Sequence, residues 1–154
     1  MKVALVADGN SALGMGHVYQ TITLSRYLRD ALGGSPDLQI LTTSAPSVAQ
    51  LLASSGCPVH QCDDDAAIAD QLREMRPDRV VIDKLDVSPA LAKTISQTFR
   101  TKLIILTNLS DANRYADVTV MAGMGSDFKN IRRHVGNQVQ LWGPRYWLIR
   151  PEFL

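Results

Sequence analysis

Two short segments of the chain are apolar without interruption, and this pattern restricts the fold more than any other feature of the sequence. Residues 80–82 read Val-Val-Ile, and residues 103–106 read Leu-Ile-Ile-Leu. A strand that is apolar on both faces is covered by helices on both sides, as in parallel sheets. Segments with helical periodicity alternate with such strands along the chain. We therefore predict an α/β fold with a Rossmann-like, doubly wound and mostly parallel sheet.

Apolar periodicity and turn residues place the elements along the chain. Strands are predicted at residues 2–7, 38–41, 58–61, 79–82, 102–106, 118–121 and 139–141. Helices are predicted at residues 17–32, 48–55, 63–76 and 89–99, and residues 127–134 are predicted as a basic helix or turn. Ser88 and Pro89 are typical of a helix start, with Ser as the N-cap and Pro at the first helical position.

Length and charge limit the domain count and the class of partner. The chain has 154 residues, the size of one ordinary domain, and contains no internal repeat or Pro/Gly-rich linker. We predict one Rossmann-like domain over residues 1–154. The net charge of +1 argues against nucleic acid or an anionic membrane as the main partner. Because neither a secretory signal nor an apolar run of about 18 residues is present, we expect a cytoplasmic protein without a membrane span.

The two cysteines do not indicate a metal site or a disulfide. Cys57 and Cys62 flank His60, which gives three ligands where zinc prefers four. A disulfide framework is not expected in a domain with 45% hydrophobic residues. We predict two buried or half-buried thiols, and neither a metal nor an organic cofactor.

In a doubly wound sheet, ligands bind outside the carboxyl ends of the strands. The residues at those ends are Asp8, Thr42-Thr43, Asp83 to Asp86, and Thr107-Asn108. We expect these segments to converge at one edge of the sheet and to contact a substrate there. Asp8 and Asp83 each have a structural alternative, in which the carboxylate caps amides of the neighbouring loop.

The glycine-rich turn at residues 9–16 fits two nucleotide-binding motifs poorly. Gly9 and Gly14 have the spacing of a P-loop, but the lysine that binds the β- and γ-phosphates is missing. A dinucleotide fingerprint requires an acidic residue after the second strand, where this chain has Thr42-Thr43-Ser44. An NTPase is therefore not expected, and a nicotinamide-dependent enzyme is disfavoured.

The end of the same turn indicates a third type of site. Gly14 and Gly16 allow a ligand to approach the backbone closely and accept unusual φ angles. The helix that follows offers free N–H groups and the positive end of its dipole to an anion. His17 then stands next to the ligand, where an imidazole suits general acid/base catalysis. A helix-capping or packing role for His17 is equally compatible with the spacing.

Three segments resemble a known group of nucleotide-sugar enzymes. Residues 14–20, Gly-Met-Gly-His-Val-Tyr-Gln, and residues 24–28, Leu-Ser-Arg-Tyr-Leu, resemble the first helix of GT-B proteins. Residues 143–153 resemble the G-x-x-Y-x-L-L-R-x-E-F stretch that ends the N-terminal domain in the PseG/SpsG-like family. This family includes the UDP-sugar hydrolase of pseudaminic acid biosynthesis and is similar to MurG-type glycosyltransferases.

The resemblance implies a domain organisation and a set of roles. The chain would be the N-terminal half of a two-domain GT-B protein, in which a C-terminal domain, or a partner in its place, binds the nucleotide diphosphate. His17 would be the acid/base residue. Asp83 would be the strand-end acid of the family's D-x-Y segment, with Leu85 in place of the tyrosine. Gln20 stands where the hydrolases favour arginine, and Thr107-Asn108-Leu109 stands where they tend to have an acidic pair before leucine.

We therefore expect the sugar- or acceptor-side domain of a nucleotide-sugar processing enzyme, either a UDP-sugar hydrolase or a glycosyltransferase. The expected catalytic residue is His17, and the expected residues that bind the sugar or nucleotide-sugar substrate are Asp8, Gly14, Gly16, Gln20, Asp83 and Asn108. The alternative is a non-catalytic binding or assembly module of the same fold, which the departures at Gln20 and Asn108 favour. A face left exposed without a second domain favours self-association, so the expectation includes a homo-oligomer.

Overall fold

The computed structural model describes residues 1–10, 14–33, 36–122 and 138–153. The strands within these residues are β1 (Lys2–Ala7), β2 (Asp37–Thr42), β3 (Val59–Gln61), β4 (Arg79–Asp83), β5 (Lys102–Leu106), β6 (Val118–Met121) and β7 (Val139–Trp142). The α-helices are α1 (Gly16–Ala31), α2 (Pro46–Ala53), α3 (Asp65–Met75) and α4 (Pro89–Thr98). Short 3₁₀ helices lie at Asp111–Tyr115, Pro144–Tyr146 and Pro151–Phe153. The predicted basic segment at residues 127–134 lies outside the described residues.

The strands of the described residues form one sheet with the order β3-β2-β1-β4-β5-β6-β7. Each neighbouring pair in this sheet is parallel. The chain winds outward from β1 to β3, crosses back to β4, and then winds outward in the other direction to β7. The point of reversal lies between β1 and β4, and open α/β sheets bind ligands at such a switch point. The predicted Rossmann-like, doubly wound fold is confirmed.

Side chains of the central strands alternate between two apolar layers. On one face, Leu5 of β1 and Val81 of β4 pack in a layer that includes Val18 of α1. On the other face, Val6 and Ile82 pack in a layer that includes residues of α3 and α4. Each fully buried Val, Leu or Ile contributes roughly 1.5–3 kcal/mol relative to an exposed one. Burial on both faces is therefore the physical reason for the uninterrupted apolar runs of the sequence.

The starts of α3 and α4 are set by side chains that cap free backbone N–H groups. Oδ1 of Asp64 accepts a hydrogen bond from the N–H of Ala67 at 2.8 Å. Oγ of Ser88 accepts one from the N–H of Leu91 at 3.3 Å, and Pro89 is the first residue of α4, so the predicted N-cap is confirmed. The 3₁₀ helices are not predicted, because three to five residues carry no readable apolar period. Among the helices described, none combines the length and the hydropathy needed to cross a bilayer.

Cys57 and Cys62 lie on opposite faces of the sheet. Cys57 belongs to the layer that includes α1 and α2 residues, and Cys62 belongs to the layer that includes α3 and α4 residues. Both side chains are buried, and neither forms a disulfide. The prediction of two buried thiols is confirmed, and the sheet between the two residues keeps their sulfur atoms apart.

Gly9 should not tolerate a side chain. A Cβ atom at Gly9 would lie 2.6 Å from Cγ2 of Val18 and 3.2 Å from the carbonyl oxygen of Gly14. Gly9→Ala should therefore lower the free energy of unfolding by about 1–3 kcal/mol, because the added methyl group overpacks the contact with α1. Gly16→Ala is the matched control, since a Cβ there has no described atom within 4 Å. Urea unfolding measures both variants, and equal stabilities would contradict the packing described.

Candidate active site

The carboxyl end of β4 places Asp83 on the face of the sheet that α1 covers. Val81 points to this face, and the alternation of side chains along a strand brings Asp83 to the same side two residues later. Only 2% of Asp83 is exposed. A carboxylate buried to this extent needs hydrogen bonds in place of its lost hydration. Because β4 pairs with β1, Asp83 also lies at the switch point of the sheet.

Helix α1 supplies these hydrogen bonds. Nδ1 of His17 lies 2.7 Å from Oδ1 of Asp83, and the hydroxyl of Thr21 donates to Oδ2 at 3.4 Å. His17 and Thr21 are one helical turn apart, so both side chains reach the same side of α1. The side chain of His17 is 13% exposed and thus reaches the surface, unlike the carboxylate beneath it. Two residues predicted separately from the sequence therefore form a direct pair.

The pair has the electrostatic character of a proton-transfer site. The hydrogen bond to Asp83 raises the pKa of the His17 imidazole, and burial acts in the opposite direction. Burial raises the pKa of the Asp83 carboxyl, and the hydrogen bond from His17 acts against this rise. Because Nδ1 contacts Asp83, Nε2 is the ring nitrogen on the other side of the imidazole from the carboxylate. An imidazole held in this way is suited to proton exchange at Nε2.

The turn before α1 presents the N-terminus of the helix. Gly14 has a φ of +83°, and its N–H donates to the carbonyl oxygen of Asn10 at 2.8 Å, which closes the turn. Gly16 is the first residue of α1 and has no positive φ, so of these two glycines Gly14 is the one that uses an unusual φ angle. Met15 is the N-cap, and its side chain does not cap the helix. The N–H groups of the first turn are thus suited to an anionic group of a ligand.

Asp8 holds the end of β1 against the end of β2. Its Oδ1 accepts hydrogen bonds from the N–H of Thr43 at 2.7 Å and from the hydroxyl of Thr42 at 3.0 Å. Its Oδ2 accepts one from the Thr43 hydroxyl at 2.8 Å and lies 2.7 Å from Nζ of Lys84. Burial acts to raise the pKa of Asp8, but the hydrogen bonds from Lys84 and Thr43 outweigh it, and the pKa is lowered. The carboxylate thus caps the neighbouring loop, which is the structural alternative considered for it.

Lys84 is a half-buried cation that the sequence analysis does not single out. Besides its contact with Asp8, its Nζ lies 3.3 Å from Oδ1 of Asp65 at the start of α3. The register pairs Ala7 with Asp83, so the next residues of the two strands, Asp8 and Lys84, come side by side. Alternation directs Lys84 away from the face of Asp83 and towards α3. The position of Lys84 beside Asp8 follows from this register. It can be predicted only when β1 and β4 are known to be neighbours.

Asn108 joins the loops that follow β4 and β5. Its side-chain amide donates to the carbonyl oxygens of Lys84 at 3.1 Å and of Leu85 at 3.0 Å. Its Oδ1 accepts a hydrogen bond from the N–H of Ser110 at 2.8 Å. Since the side chain is fully buried, Asn108 has a loop-bracing role, and its contact with a substrate stays a prediction.

Gln20 and Thr107 line a pocket between α1, the end of β5 and the tail of the chain. Gln20 follows His17 by one turn of α1, and Thr107 directly follows β5. Together with Ala122 and residues 147–149, they border a space of about 260 Å³, which we call the edge pocket. Thr107 has a φ of +47°, a conformation that is rare for a β-branched residue and costs roughly 1–3 kcal/mol. Backbone strain of this kind concentrates at functional sites.

The tail at residues 143–153 packs along α1 and fixes one wall of the edge pocket. The hydroxyl of Tyr27 donates to the carbonyl oxygen of Ile149 at 2.9 Å. The guanidinium carbon of Arg150 lies 5.3 Å from the centre of the Tyr19 ring, within the range of a cation–π contact. Behind the edge pocket, an apolar cavity of about 310 Å³ continues between α1 and the sheet.

The predicted site residues thus fall into two groups. His17 and Asp83 are in contact, Gly14 and Gly16 lie in the turn that leads to His17, and Gln20 follows on the same helix. Asp8 and Asn108 belong to the same sheet edge, but hydrogen bonds within the protein engage their side chains. In the described part of the chain, no group of three or more His, Cys, Asp or Glu side chains is arranged to hold a metal ion.

No family model matches the chain. The chain is 34% identical over 157 residues to the uncharacterized protein MJ1062 of Methanocaldococcus jannaschii, and this match covers 99% of the chain and 32% of that protein. The chain therefore spans about a third of the length of this curated relative.

The fold is similar to that of solved structures, which include the following two. The apo form of the lipopolysaccharide outer core galactosyltransferase WaaB matches with a TM-score of 0.63 and 14% identity, over 92% of the chain and 45% of WaaB. Anabaena Alr3699/HepE in complex with UDP-glucose matches with a TM-score of 0.60 and 15% identity, over 91% of the chain and 42% of HepE. These likenesses show a GT-B-like fold, and the chain spans less than half of each protein.

Asp83 should control the titration of His17. We expect the imidazole to titrate above the ordinary value of about 6.5, because the Asp83 carboxylate favours the protonated ring. Asp83→Asn should lower the midpoint, since it removes that charge. Ring-proton NMR measures the change, with His60, which contacts Gln39, as the internal control. A His17 midpoint that is the same in both proteins would contradict the electrostatic role of Asp83.

The same coupling should make the stability depend on pH. Because the pKa of folded His17 is raised, the interaction stabilises the protein fully below about pH 6.5, the unfolded value. This contribution is lost as the pH rises through the folded pKa. Comparison of the unfolding free energies of the wild type and Asp83→Asn over this range isolates the effect. The difference between the two proteins should shrink as the pH rises, and a difference that grows would contradict the assignment.

Lys84→Met should destabilise the protein more than Lys102→Met. Lys102 and Asp117 form an ion pair with the same N–O distance of 2.7 Å as Lys84 and Asp8, but the Lys102 side chain is 61% exposed and that of Lys84 is 12% exposed. We expect a loss of about 1–3 kcal/mol for Lys84→Met and about 0.2–1 kcal/mol for Lys102→Met. Urea unfolding measures both losses, and losses of equal size would contradict a scaffold role for Lys84.

Proposed function

We propose that this chain is the sugar- or acceptor-side domain of a nucleotide-sugar processing enzyme, with His17 as its general acid/base. The observation that carries the proposal is the 2.7 Å contact between Nδ1 of His17 and the buried Oδ1 of Asp83 at the switch point of the sheet. A carboxylate in this position orients an imidazole and stabilises the cation that forms when Nε2 takes up a proton. The GT-B-like fold supports the class of enzyme, and the UDP-glucose in the HepE structure supports the class of substrate.

In the proposed reaction, the bond between C1 of the sugar and the diphosphate oxygen breaks, and the nucleotide diphosphate leaves with the electron pair. The attacking oxygen belongs to water in a hydrolase and to a sugar hydroxyl in a glycosyltransferase. Nε2 of His17 removes the proton of this oxygen as the new C1–O bond forms, and Asp83 stabilises the imidazolium. The proton then passes from Nε2 to solvent. Catalysis of this type typically contributes about 10²–10⁴-fold to the rate.

The turn before His17 provides a place for the anionic part of the substrate. The first-turn N–H groups of α1 and the positive end of its dipole attract phosphate oxygens. A Cβ added at Gly14 or Gly16 meets no described atom within 4 Å, so packing within the described chain leaves room above the backbone there. Gly14 and Gly16 therefore suit close approach of a ligand, in keeping with their proposed substrate role.

We infer that a C-terminal domain or a partner chain completes the site by binding the nucleotide. Leu85 and Leu109, in the loops after β4 and β5, are 46% and 54% exposed. Exposed apolar side chains around a polar site are typical of a surface that another protein surface covers. The similarity to proteins more than twice as long supports this arrangement.

The PseG/SpsG-like resemblance supports a narrower form of the proposal. Its most specific part is the tail at residues 143–153, which packs on α1 through Tyr27 and Arg150. Gln20 departs from the arginine that the hydrolases favour, and a neutral amide changes which substrate group this helix position can bind. Hydrolase and glycosyltransferase are thus the two forms of the proposal, and the identity of the attacking oxygen separates them.

A second candidate function is a non-catalytic binding or assembly module of the same fold. The observation that favours it is that the side chains of Asp8 and Asn108 form hydrogen bonds with other groups of the protein. Such a module predicts substrate binding that survives the loss of His17, or no binding of these substrates.

Binding at the predicted edge can be tested directly on this chain. UDP, UDP-N-acetylglucosamine and sugar phosphates are added separately, and amide NMR shifts are recorded. The proposal predicts shifts at Gly14, Gly16, His17 and Asp83. Shifts confined to residues away from the carboxyl edge of the sheet would contradict it.

The catalytic role of His17 can be tested by measuring turnover by the complete enzyme, with its nucleotide-binding domain or partner. His17→Ala should reduce turnover of the UDP-sugar substrate by about 10²–10⁴-fold. His60→Ala is the matched control, since His60 lies on the edge strand β3 and contacts Gln39. Full turnover by His17→Ala would show that His17 is not the acid/base.

A further inference from the structure

The edge pocket combines one flat aromatic surface with two neutral hydrogen-bonding side chains. Its lining includes Gln20 of α1, Thr107 at the end of β5 and Trp147 of the tail. The remaining described side chains of its wall, Ala122, Leu148 and Ile149, are apolar. None of the described side chains that line this pocket carries a charge, which distinguishes it from the helix N-terminus at Gly16.

Trp147 is held in place although its side chain is open to the solvent. It is 51% exposed, while the chain on either side is fixed by the 3₁₀ helix Pro144–Tyr146 and by the hydrogen bond from Tyr27 to Ile149. An exposed aromatic ring on a fixed backbone offers a flat apolar face at little cost in side-chain entropy. This is an arrangement that binds the apolar face of a ring-shaped ligand.

Thr107 keeps an unfavourable backbone conformation at the same pocket. Its φ of +47° is accepted readily by glycine or asparagine but not by a β-branched residue. The N–H of Thr107 donates to the carbonyl oxygen of Val120 at 2.8 Å, so the strain is held by the end of the sheet. Backbone strain of this kind is expected at a residue whose side chain is needed for binding.

We propose that the edge pocket is a subsite for a neutral sugar ring, and that Trp147 and Thr107 determine its specificity. The indole of Trp147 stacks on the C–H face of the ring, and the Thr107 hydroxyl and the Gln20 amide bind its hydroxyl groups. The inference rests on the proposed function, because Gln20, which lines the pocket, lies one turn of α1 beyond His17. It adds the substrate class that the pocket selects, a neutral ring rather than an acidic one.

The apolar cavity behind the edge pocket does not suit the same ligand. Its walls include Leu24, Val81, Ile104 and Leu106, which offer no hydrogen bonds to hydroxyl groups. A hydroxylated ring placed there would leave its polar groups unsatisfied, at a substantial cost in free energy. Gln20 and Thr107 border both spaces, so the polar groups converge at the mouth, where the sugar is placed.

The test uses neutral sugars without a nucleotide. Methyl glucoside and N-acetylglucosamine at millimolar concentration should shift the Trp147 indole N–H and the Gln20 side-chain amide resonances in NMR spectra. Trp147→Ala should weaken this binding by about tenfold. Glucuronic acid should bind more weakly than methyl glucoside, because no described cation of the pocket compensates its charge. Equal binding of the acidic and neutral sugars, or no shift by the neutral sugars, would overturn the proposal.

Thr107→Gly separates a binding role from a structural one. This variant removes the hydroxyl but accepts the positive φ, so it should raise the midpoint of thermal unfolding and weaken sugar binding at the same time. A variant that is more stable and binds the neutral sugars as well as the wild type would overturn the role of Thr107. The His17 titration midpoint should not change in either variant.

The inference and the proposed function fail in different ways. If UDP-sugars shift His17 and Gly16 while neutral sugars leave Trp147 unchanged, the subsite is wrong and the proposed function stands. If neutral sugars bind at Trp147 but His17→Ala leaves turnover unchanged, the subsite stands and the catalytic role is wrong.

Discussion

The burial of the Asp83 carboxylate at the switch point of the sheet is the constraint on which the site depends. A charge in this position requires partners, and α1 provides them through His17 and Thr21. Helix α1 must therefore start directly above the end of β1. Gly9 makes this possible, because any side chain there would collide with Val18 and push the helix away. The glycine-rich turn thus has a packing role at its start and leaves room for a ligand at its end.

One strand end serves both the site and the scaffold. Asp83 and Lys84 are neighbours in sequence, but alternation directs them to opposite faces of the sheet. Asp83 meets α1 and orients an imidazole, whereas Lys84 meets Asp8 and Asp65 and ties β1, β4 and α3 together. The two carboxylates at this edge have opposite pKa shifts, since burial dominates at Asp83 and hydrogen bonds dominate at Asp8. The proposed proton-transfer pair and the ion pairs of the scaffold therefore lie within a few residues of each other.

Much of the fold could be predicted from the sequence, because strands that are covered on both faces consist of uninterrupted apolar residues. The predicted bounds of β1, β5 and β6 agree with the structure. His17 and Asp83 were each identifiable, from a helix start and from a strand end, but their contact was not. It depends on which face of β4 carries Asp83, and that requires knowledge of which helices cover each face. The contact of Lys84 with Asp8 was not identifiable either, because it depends on the register of β1 and β4.

The backbone conformation of Thr107 could not be predicted either, for a different reason. A left-handed threonine is visible only in the backbone, since local preferences argue against it. Gly16 can accept an unusual φ, but the helix begins there without a positive φ. Its open surroundings, not its conformation, are the feature that fits a ligand. At Thr107 a local sequence rule thus fails next to the proposed site, as expected where function opposes local preference.

The central claim is that Asp83 holds the His17 ring so that Nε2 is free to exchange a proton with the substrate. The nitrogen-15 spectrum of the His17 ring, recorded above its pKa, tests this directly, because it shows which nitrogen carries the proton in the neutral ring. The account predicts a proton on Nδ1, donated to Asp83, and an unprotonated Nε2. In Asp83→Asn, the preference for the Nδ1–H form should weaken. A neutral His17 with its proton on Nε2 in the wild-type protein would contradict the proposed role of the pair.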